Sequence, residues 1–473
     1  MTDLVPMWIA GEQTHGDEAL GVHHPFDGAL VGSTSYATPE QVERAVAAAH
    51  AAVQAGSKLS IGARAEALRQ ASARLAERAE EAAALITAEN GKPIMWAKAE
   101  VARAVSVLTW AAEETRQGRV EAFRLDTDLA GERRLALVRH VARGAVLGIS
   151  PFNFPLNLAV HKVAPAIAVG APIVLKPAPK TPLSALLLGE LFADTDLPDG
   201  MVNVLNVPND RVESLTRDRR LPVVSFTGSG PVGRSIRRAV PDKHVTLELG
   251  GNDAGIVLPD ANPKEIAERL FWGAFINNGQ TCAALKRLYV PDNIYDEVCD
   301  ALVDYAKSVT VGHGLEENSV LGPIQNQMQY DKVVDLVEDA KRNGARILCG
   351  GEAPEGPGFF YPVTIVAGAT DGMRIVDEEQ FGPVLPVIRY TDLDDAIERA
   401  NALDVGLGGS AWSSDPDKAK AVAARLECGT AWVNNHGAIK PFAPFGGVKG
   451  SGLGVEFGEL GLKEYTSVQV VHQ

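Results

Sequence analysis

One glutamate and one cysteine carry the strongest chemical signal in this chain. Glu248 lies in Leu247-Glu248-Leu249-Gly250-Gly251, and Cys282 closes Gly279-Gln280-Thr281-Cys282. The leucines around Glu248 read as the end of a strand, and the two glycines release the backbone into a turn. Phe271 to Ile276 reads as an apolar helix that delivers the cysteine at the tip of a loop. A cysteine on a glycine-rich loop can lie close to backbone N–H groups and react as the thiolate. A nearby carboxylate that is not its hydrogen-bond partner can activate water. The pair suggests a covalent thioester and its hydrolysis; the alternative for Cys282 is a small buried hydrophobe.

Five further motifs bear on that choice. Pro151-Phe152-Asn153-Phe154-Pro155, Lys176-Pro177, Phe226-Thr227-Gly228-Ser229, Glu379-Gln380-Phe381-Gly382-Pro383 and Pro444-Phe445-Gly446-Gly447 follow in order over nearly the whole chain. With Glu-Leu-Gly-Gly and Gly-Gln-x-Cys, they make the chain resemble the aldehyde dehydrogenase superfamily. The resemblance implies NAD(P)-dependent oxidation of an aldehyde to a carboxylic acid. Cys282 would be the nucleophile and Glu248 the base for water. The Asn153 amide and the Cys282 backbone N–H would form the oxyanion site, where one lost donor typically costs ~3 kcal/mol. Lys162 and Glu456 match positions associated with proton relay. On the residues alone, Asn153 is equally a turn residue before Pro155, Glu379 a surface charge, and Lys162 and Glu456 a structural ion pair.

By the same resemblance the cofactor is met by Ile149, Lys176, Pro179, Gly228, Ser229, Glu379 and Phe381. Gly228-Ser229-Gly230-Pro231-Val232-Gly233 follows a strand and opens a helix, a literal G-x-G-x-x-G match whose N–H groups suit a pyrophosphate. That motif's usual corollary would give Glu248 to the cofactor ribose; the resemblance gives the ribose to Lys176 and leaves Glu248 for chemistry. Many NAD-preferring relatives carry Glu where this chain has Pro179, followed by Lys180. NAD is expected, with NADP tolerated. An entry tunnel is implied by Phe154, Leu158, His161, Ile276, Thr281, His436, Ile439 and Phe445. No arginine stands among them, and a carboxylated aldehyde would want a bidentate Arg clamp. An apolar or aromatic aldehyde is therefore favoured, although Lys440 and the two histidines could bind an anion.

Positioning these groups requires particular elements. From Gly144 the pattern alternates strand and helix: Ala145 to Ile149, Leu156 to Val169, Pro172 to Lys176, Leu183 to Phe192, Val202 to Val207, Val223 to Phe226, then helix after Pro231. This predicts a doubly wound parallel sheet with ligands at its strand C-termini. Helices are expected ahead of it, one capped by Thr38 and Pro39, one running from Ala63 to about Asn90, and one from Trp96 to Thr115. A second α/β unit of the same class follows Cys282. The expected organisation is a dinucleotide-binding domain (1–119 and 140–248), a catalytic domain (249–445), and a small β element (120–139 and 465–473). The family uses the matching excursion and tail for oligomerisation, so a homodimer or homotetramer is expected.

Composition excludes several classes. The 473 residues are 46% hydrophobic with a formal net charge of −15, which argues against a nucleic-acid or anionic-membrane partner. No apolar run reaches the ~18 residues of a membrane span, and Met1 to Gly21 lacks a signal-peptide core, so a cytoplasmic location is expected. Four cysteines without C-x-x-C pairs and ten scattered histidines suggest neither disulfides nor a metal site. The competing readings are a CoA-acylating dehydrogenase and a non-catalytic binding protein on the same fold. Glu248 opposes the first, because a base that hydrolyses the thioester would waste the acyl group.

Overall fold

The computed structural model describes residues 4–129, 131, 133–316 and 318–473. Positions 1–3, 130, 132 and 317, which fall within the three expected domain ranges, lie outside the described residues. Five parallel strands form the centre of the first sheet, in the spatial order Val202–Val204, Ile173–Lys176, Val146–Ile149, Val223–Thr227 and His244–Glu248. Their side chains are nearly all buried, as expected of strands covered on both faces. The order reverses between Val146–Ile149 and Val223–Thr227, so a crevice opens beyond the carboxyl ends of these two strands.

Both edges of this sheet come from segments that the alternating pattern did not assign. Met7–Ile9 pairs antiparallel with Val202–Val204 and carries Glu12–Thr14 outside it, while Gly452–Leu453 closes the other edge against His244–Glu248. The expected helical N-terminal region is therefore entered only after four strands, the last two forming the hairpin Glu18–His23 and Leu30–Tyr36. Pro39–Lys58 begins with the anticipated Thr38 cap, completed by Gln41 as a capping box. The helix expected from Ala63 to Asn90 is two, Ile61–Glu77 and Ala79–Asn90, broken at Arg78. Arg78 leaves helical geometry and pairs with Glu81 and Glu190. Apolar spacing reports which face is buried, and both helices bury the same stripe, so a one-residue break leaves the pattern intact.

The second sheet runs Arg346–Cys349, Thr364–Ala369, Val384–Tyr390, Leu285–Pro291, Asp253–Val257, Gly408–Trp412 and Thr430–Val433, parallel except for its first strand. Glu248 ends the last parallel strand of one sheet, and Asp253 begins the other four residues after Leu249. Glu-Leu-Gly-Gly is thus the joint between the two cores. The excursion and the tail form one three-stranded antiparallel sheet of Glu121–Arg124, Leu135–Ala142 and Thr466–His472. No helix among the described residues is long and apolar enough to cross a membrane.

The helix Asn157–Val169 is buried on every side and lacks a side-chain cap of its own. Glu100, from the helix Ile94–Arg116, supplies one: its Oε1 accepts from the Leu156 and Asn157 backbone N–H groups at 3.1 Å each. Its Oε2 meets Lys92 Nζ at 2.5 Å, and both side chains are fully buried. Removing the carboxylate would strand the Lys92 charge and two backbone donors. Glu100→Ala is expected to cost about 3–5 kcal/mol, read as a lower urea midpoint and a lower thermal inactivation midpoint.

Candidate active site

The cysteine loop holds an unfavourable backbone conformation against its surroundings. After the helix Pro263–Phe275, which is longer than the apolar stretch alone suggested, Asn277, Asn278 and Gly279 all adopt positive φ values of 52°, 57° and 72°. Asparagine and glycine tolerate this region best. A Cβ at Gly279 would meet the Gly382 carbonyl oxygen at 2.1 Å, so only glycine permits this approach to the Glu379-Gln380-Phe381-Gly382 turn. Lys286 Nζ donates to Gly279 O at 2.6 Å, Gln325 N to Gln280 Oε1 at 2.9 Å, and Asn277 Nδ2 to Asn153 O at 2.9 Å. Asn153 Nδ2 donates to Gln280 O at 2.9 Å, which aims its amide at the segment bearing Cys282. One of its two N–H groups thereby remains for a substrate oxygen.

Glu248 lies across the strand pair from Thr227 and faces the thiol. The carboxyl is 2% exposed, and neither oxygen has a hydrogen bond of ordinary length to any described residue. Burial and the charge of Glu456 raise its pKa to about 8, against the pull of the thiol and Lys162. Burial, followed by Glu248, lifts Cys282 well above the usual thiol range. In the resting protein both groups are protonated near neutrality, a carboxyl and a thiol side by side.

Behind them lies a buried polar chain. Lys162 Nζ donates to Thr227 Oγ1 at 2.6 Å and to Glu456 Oε1 at 2.9 Å, and Glu456 Oε2 meets His161 Nδ1 at 2.7 Å. Burial opposes ionisation of Glu456, but Lys162 and His161 outweigh it and hold the carboxyl well below its ordinary range. The relay candidates are therefore one ion-paired unit within electrostatic reach of Glu248, and Thr227 links it to the cleft.

A cavity of about 910 Å³ opens at the topological switch point. All seven residues expected at the cofactor line it: Ile149, Lys176, Pro179, Gly228, Ser229, Glu379 and Phe381. Asn153, Glu248 and Cys282 share the same cavity. The helix Gly230–Ala239 starts at its wall, and the Ser229 side chain does not cap it, leaving backbone N–H groups for an anion. Lys176 Nζ donates to Asn209 Oδ1 at 2.8 Å, with its pKa lowered to about 8 by burial. Glu379 Oε1 accepts from Gly251 N at 3.3 Å, and a Cβ at Gly250 would meet Glu379 Oε2 at 2.4 Å. Donors at the helix start, a cation further out and a carboxylate near the thiol fit a dinucleotide.

The expected tunnel residues separate into two groups. Thr281 adjoins Cys282, Phe445 and Ile439 pack on the first core, Phe154 and Leu158 are buried, and Ile276 lies at the base of the cysteine loop. His436 does not line a tunnel. Its fully buried side chain bonds Ser410 Oγ at 2.9 Å, lies 3.5 Å from Asp253 and packs on Trp432 within the second unit. His161 is likewise unavailable to substrate, both ring nitrogens being engaged, one by Glu456 and the other by Asn157 Nδ2 at 3.0 Å. Arg103 was missed by the sequence reading: its guanidinium lies 4.7 Å from the centre of the Phe154 ring and within electrostatic reach of Cys282. Lys92, Glu100, Asn277 and Lys286 were also missed. The Asn-Asn-Gly run before Gln280 is the sequence signal that could have indicated the left-handed turn.

The α/β fold thus carries a cleft that suits a dinucleotide and ends on a thiol facing a carboxyl. The model of the aldehyde dehydrogenase family matches residues 8–471, and the chain belongs to that family. It is 36% identical to the phenylacetaldehyde dehydrogenase of Pseudomonas fluorescens, over 98% of this chain and 94% of that protein. It is 34% identical to the NADP(+) succinate-semialdehyde dehydrogenase of Escherichia coli K12, over 98% and 96%. The NAD+ complex of a Bacillus cereus aldehyde dehydrogenase superposes with a TM-score of 0.95 at 33% identity, covering 100% of this chain and 96% of that one. The activity is NAD(P)-dependent oxidation of an aldehyde to a carboxylic acid.

Proposed function

We propose that Cys282 and Glu248 divide the oxidation between them, a reading carried by the carboxyl that faces the thiol at the inner end of the cofactor cleft. Loss of its proton lets Cys282 attack the aldehyde carbon; the C=O π bond breaks, and a thiohemiacetal oxyanion forms against the free Asn153 N–H and the Cys282 backbone N–H. When bound, NAD(P)+ supplies the acceptor for the hydride, hence two electrons, that must leave this carbon. Glu248 takes a proton from water, whose oxygen bonds the thioester carbon; the C–S bond breaks and the carboxylic acid departs. Lys162 and Glu456 hold or pass that proton behind Glu248. A CoA-acylating reading is disfavoured by the same carboxylate, and a non-catalytic one by the presence of all four of Asn153, Glu248, Cys282 and Glu379.

Glu248 must be ionised to act as a base, and its pKa is raised to about 8. Hydrolysis of the acyl-enzyme should therefore quicken as pH rises through about 8. Glu248→Gln should give a stoichiometric burst of NADH followed by little turnover, and lose that pH limb. Normal steady-state turnover in this variant would remove Glu248 from the role.

NAD is the proposed cofactor, with NADP tolerated. Pro179 supplies no carboxylate to accept from a ribose or repel a 2′-phosphate, while Lys176 and Lys180 stand at the same wall. Removing one like-charge repulsion at a partly exposed site is worth ~1 kcal/mol, which weakens discrimination without reversing it. The two cofactors should differ by less than about tenfold in kcat/KM, and Pro179→Glu should shift the ratio toward NAD. Strict exclusion of NADP by the unmodified enzyme would refute this.

The assembly is proposed to be a homodimer or homotetramer, joined through the three-stranded sheet. Val120, Phe123, Leu135, Val468, Val470 and Val471 are exposed on or beside it, more apolar surface than a free edge usually carries. A cytoplasmic location is supported by four free cysteines. Deleting Val468 to Gln473 should reduce the sedimenting mass; a monomeric full-length chain would overturn the assembly.

A further inference from the structure

Arg103 is a cation that the fold leaves unpaired beside the reacting atoms. It stands on the helix Ile94–Arg116, and its guanidinium lies 4.7 Å from the centre of the Phe154 ring, next in sequence to Asn153. No hydrogen bond or ion pair to another described residue holds it. The neighbouring buried cations are all engaged: Lys92 with Glu100 and Asn153 O, Lys162 with Glu456 and Thr227, Lys286 with Gly279 O. Glu100, three residues earlier on the same helix, is the carboxylate Arg103 would ordinarily take. Lys92 occupies one of its oxygens and the Leu156 and Asn157 N–H groups the other.

Arg103 is both crowded by protein and reached by water. Surrounding protein pulls its pKa down, yet the residue remains exposed, so it is deep among protein atoms and still open to water. Glu100, Cys282, His161 and Lys92 are all within electrostatic reach. The nearby carboxylates are already taken, Glu100 by Lys92 and Glu456 by Lys162 and His161. The donors of Arg103 are taken by no described residue and are open to water, so an arriving anion can meet them without breaking a pair inside the protein.

We propose that Arg103 binds an anionic group at the far end of the aldehyde, so the substrate class is a short-chain aldehyde ending in a carboxylate or a phosphate. The reactive carbon lies at Cys282 and the anion at Arg103. This rests on aldehyde oxidation at Cys282, and it replaces the apolar substrate favoured by the absence of arginine from the expected tunnel. Arg is suited to either anion through paired N–H donors. Because the chain carries a net charge of −15, such a substrate is repelled at long range, and a local cation is what selects it.

The test compares three aldehydes of matched length, ending in a carboxylate, a phosphate or a neutral methyl ester, on the unmodified enzyme, Arg103→Gln and Arg103→Lys. Arg103→Gln should lower kcat/KM for the preferred anionic aldehyde about 10- to 100-fold, mainly through KM. The neutral aldehyde should change by less than about threefold, and Arg103→Lys should recover part of the loss. The arm with the larger loss identifies carboxylate or phosphate. Equal losses on neutral and anionic aldehydes, or no loss on either, would reduce Arg103 to support for Phe154. Calorimetric binding of a short dicarboxylate needs no turnover and separates two failures. If the unmodified enzyme oxidises no aldehyde but binds the dicarboxylate only with Arg103 present, the reaction assignment fails and the anion site stands; binding unaffected by Arg103→Gln overturns the site.

Discussion

Asn153 is held at both ends, and the active site depends on that grip. Its backbone carbonyl receives Lys92 Nζ at 2.7 Å and Asn277 Nδ2 at 2.9 Å, while its side-chain amide donates to Gln280 O. Three separate pieces of the chain meet there: the helical layer through Lys92, the crevice beyond Val146–Ile149, and the loop carrying the cysteine. None of them alone would fix Cys282, because three successive left-handed residues are unfavourable for a free loop. The Lys92–Glu100 pair underlies this grip. By capping Asn157–Val169 while anchoring Lys92, Glu100 ties the helix that carries Lys162 to the residue that orients the cysteine.

The same burial that fixes the geometry sets the chemistry. Burial raises both the carboxyl and the thiol, and the carboxyl lifts the thiol further, so the resting site is neutral and does not waste a thiolate on oxidation. Nearby, Glu456 is kept ionised by Lys162 and His161 although it is equally enclosed. Two buried glutamates with opposite pKa shifts stand behind one reaction centre, which is the arrangement expected where one group must gain a proton and the other must not.

Local chemistry was legible in the sequence, and long-range supply was not. Glu248, Cys282 and Asn153 sit in motifs whose glycines and prolines announce their turns, and the structure brings all three to one cavity with the seven residues expected to meet the cofactor. The alternation of strand and helix announced that the first sheet is parallel, because buried strands read as continuous apolar runs. What failed to show were the edges: Met7–Ile9 and Gly452–Leu453 are two or three residues long, too short for a period to be counted. His436 misled because its position in the chain resembles a loop near the substrate, whereas Ser410 and Asp253 draw its ring into the second core.

Arg103 shows why charge is harder to read than fold. On a helix, Glu100 and Arg103 at three-residue spacing look like an ordinary surface pair, each accounting for the other. The structure breaks that pairing by bringing Lys92 from a preceding turn to the same carboxylate, and two backbone donors from a distant helix start to its other oxygen. The displaced guanidinium turns to the Phe154 ring instead. An unpaired charge is thus a property of three segments at once, invisible to spacing along any one of them. The aromatic residue it stacks on is also the neighbour of Asn153, so the guanidinium that would anchor the far end of a substrate rests on the residue next to the amide that would meet its reacting oxygen.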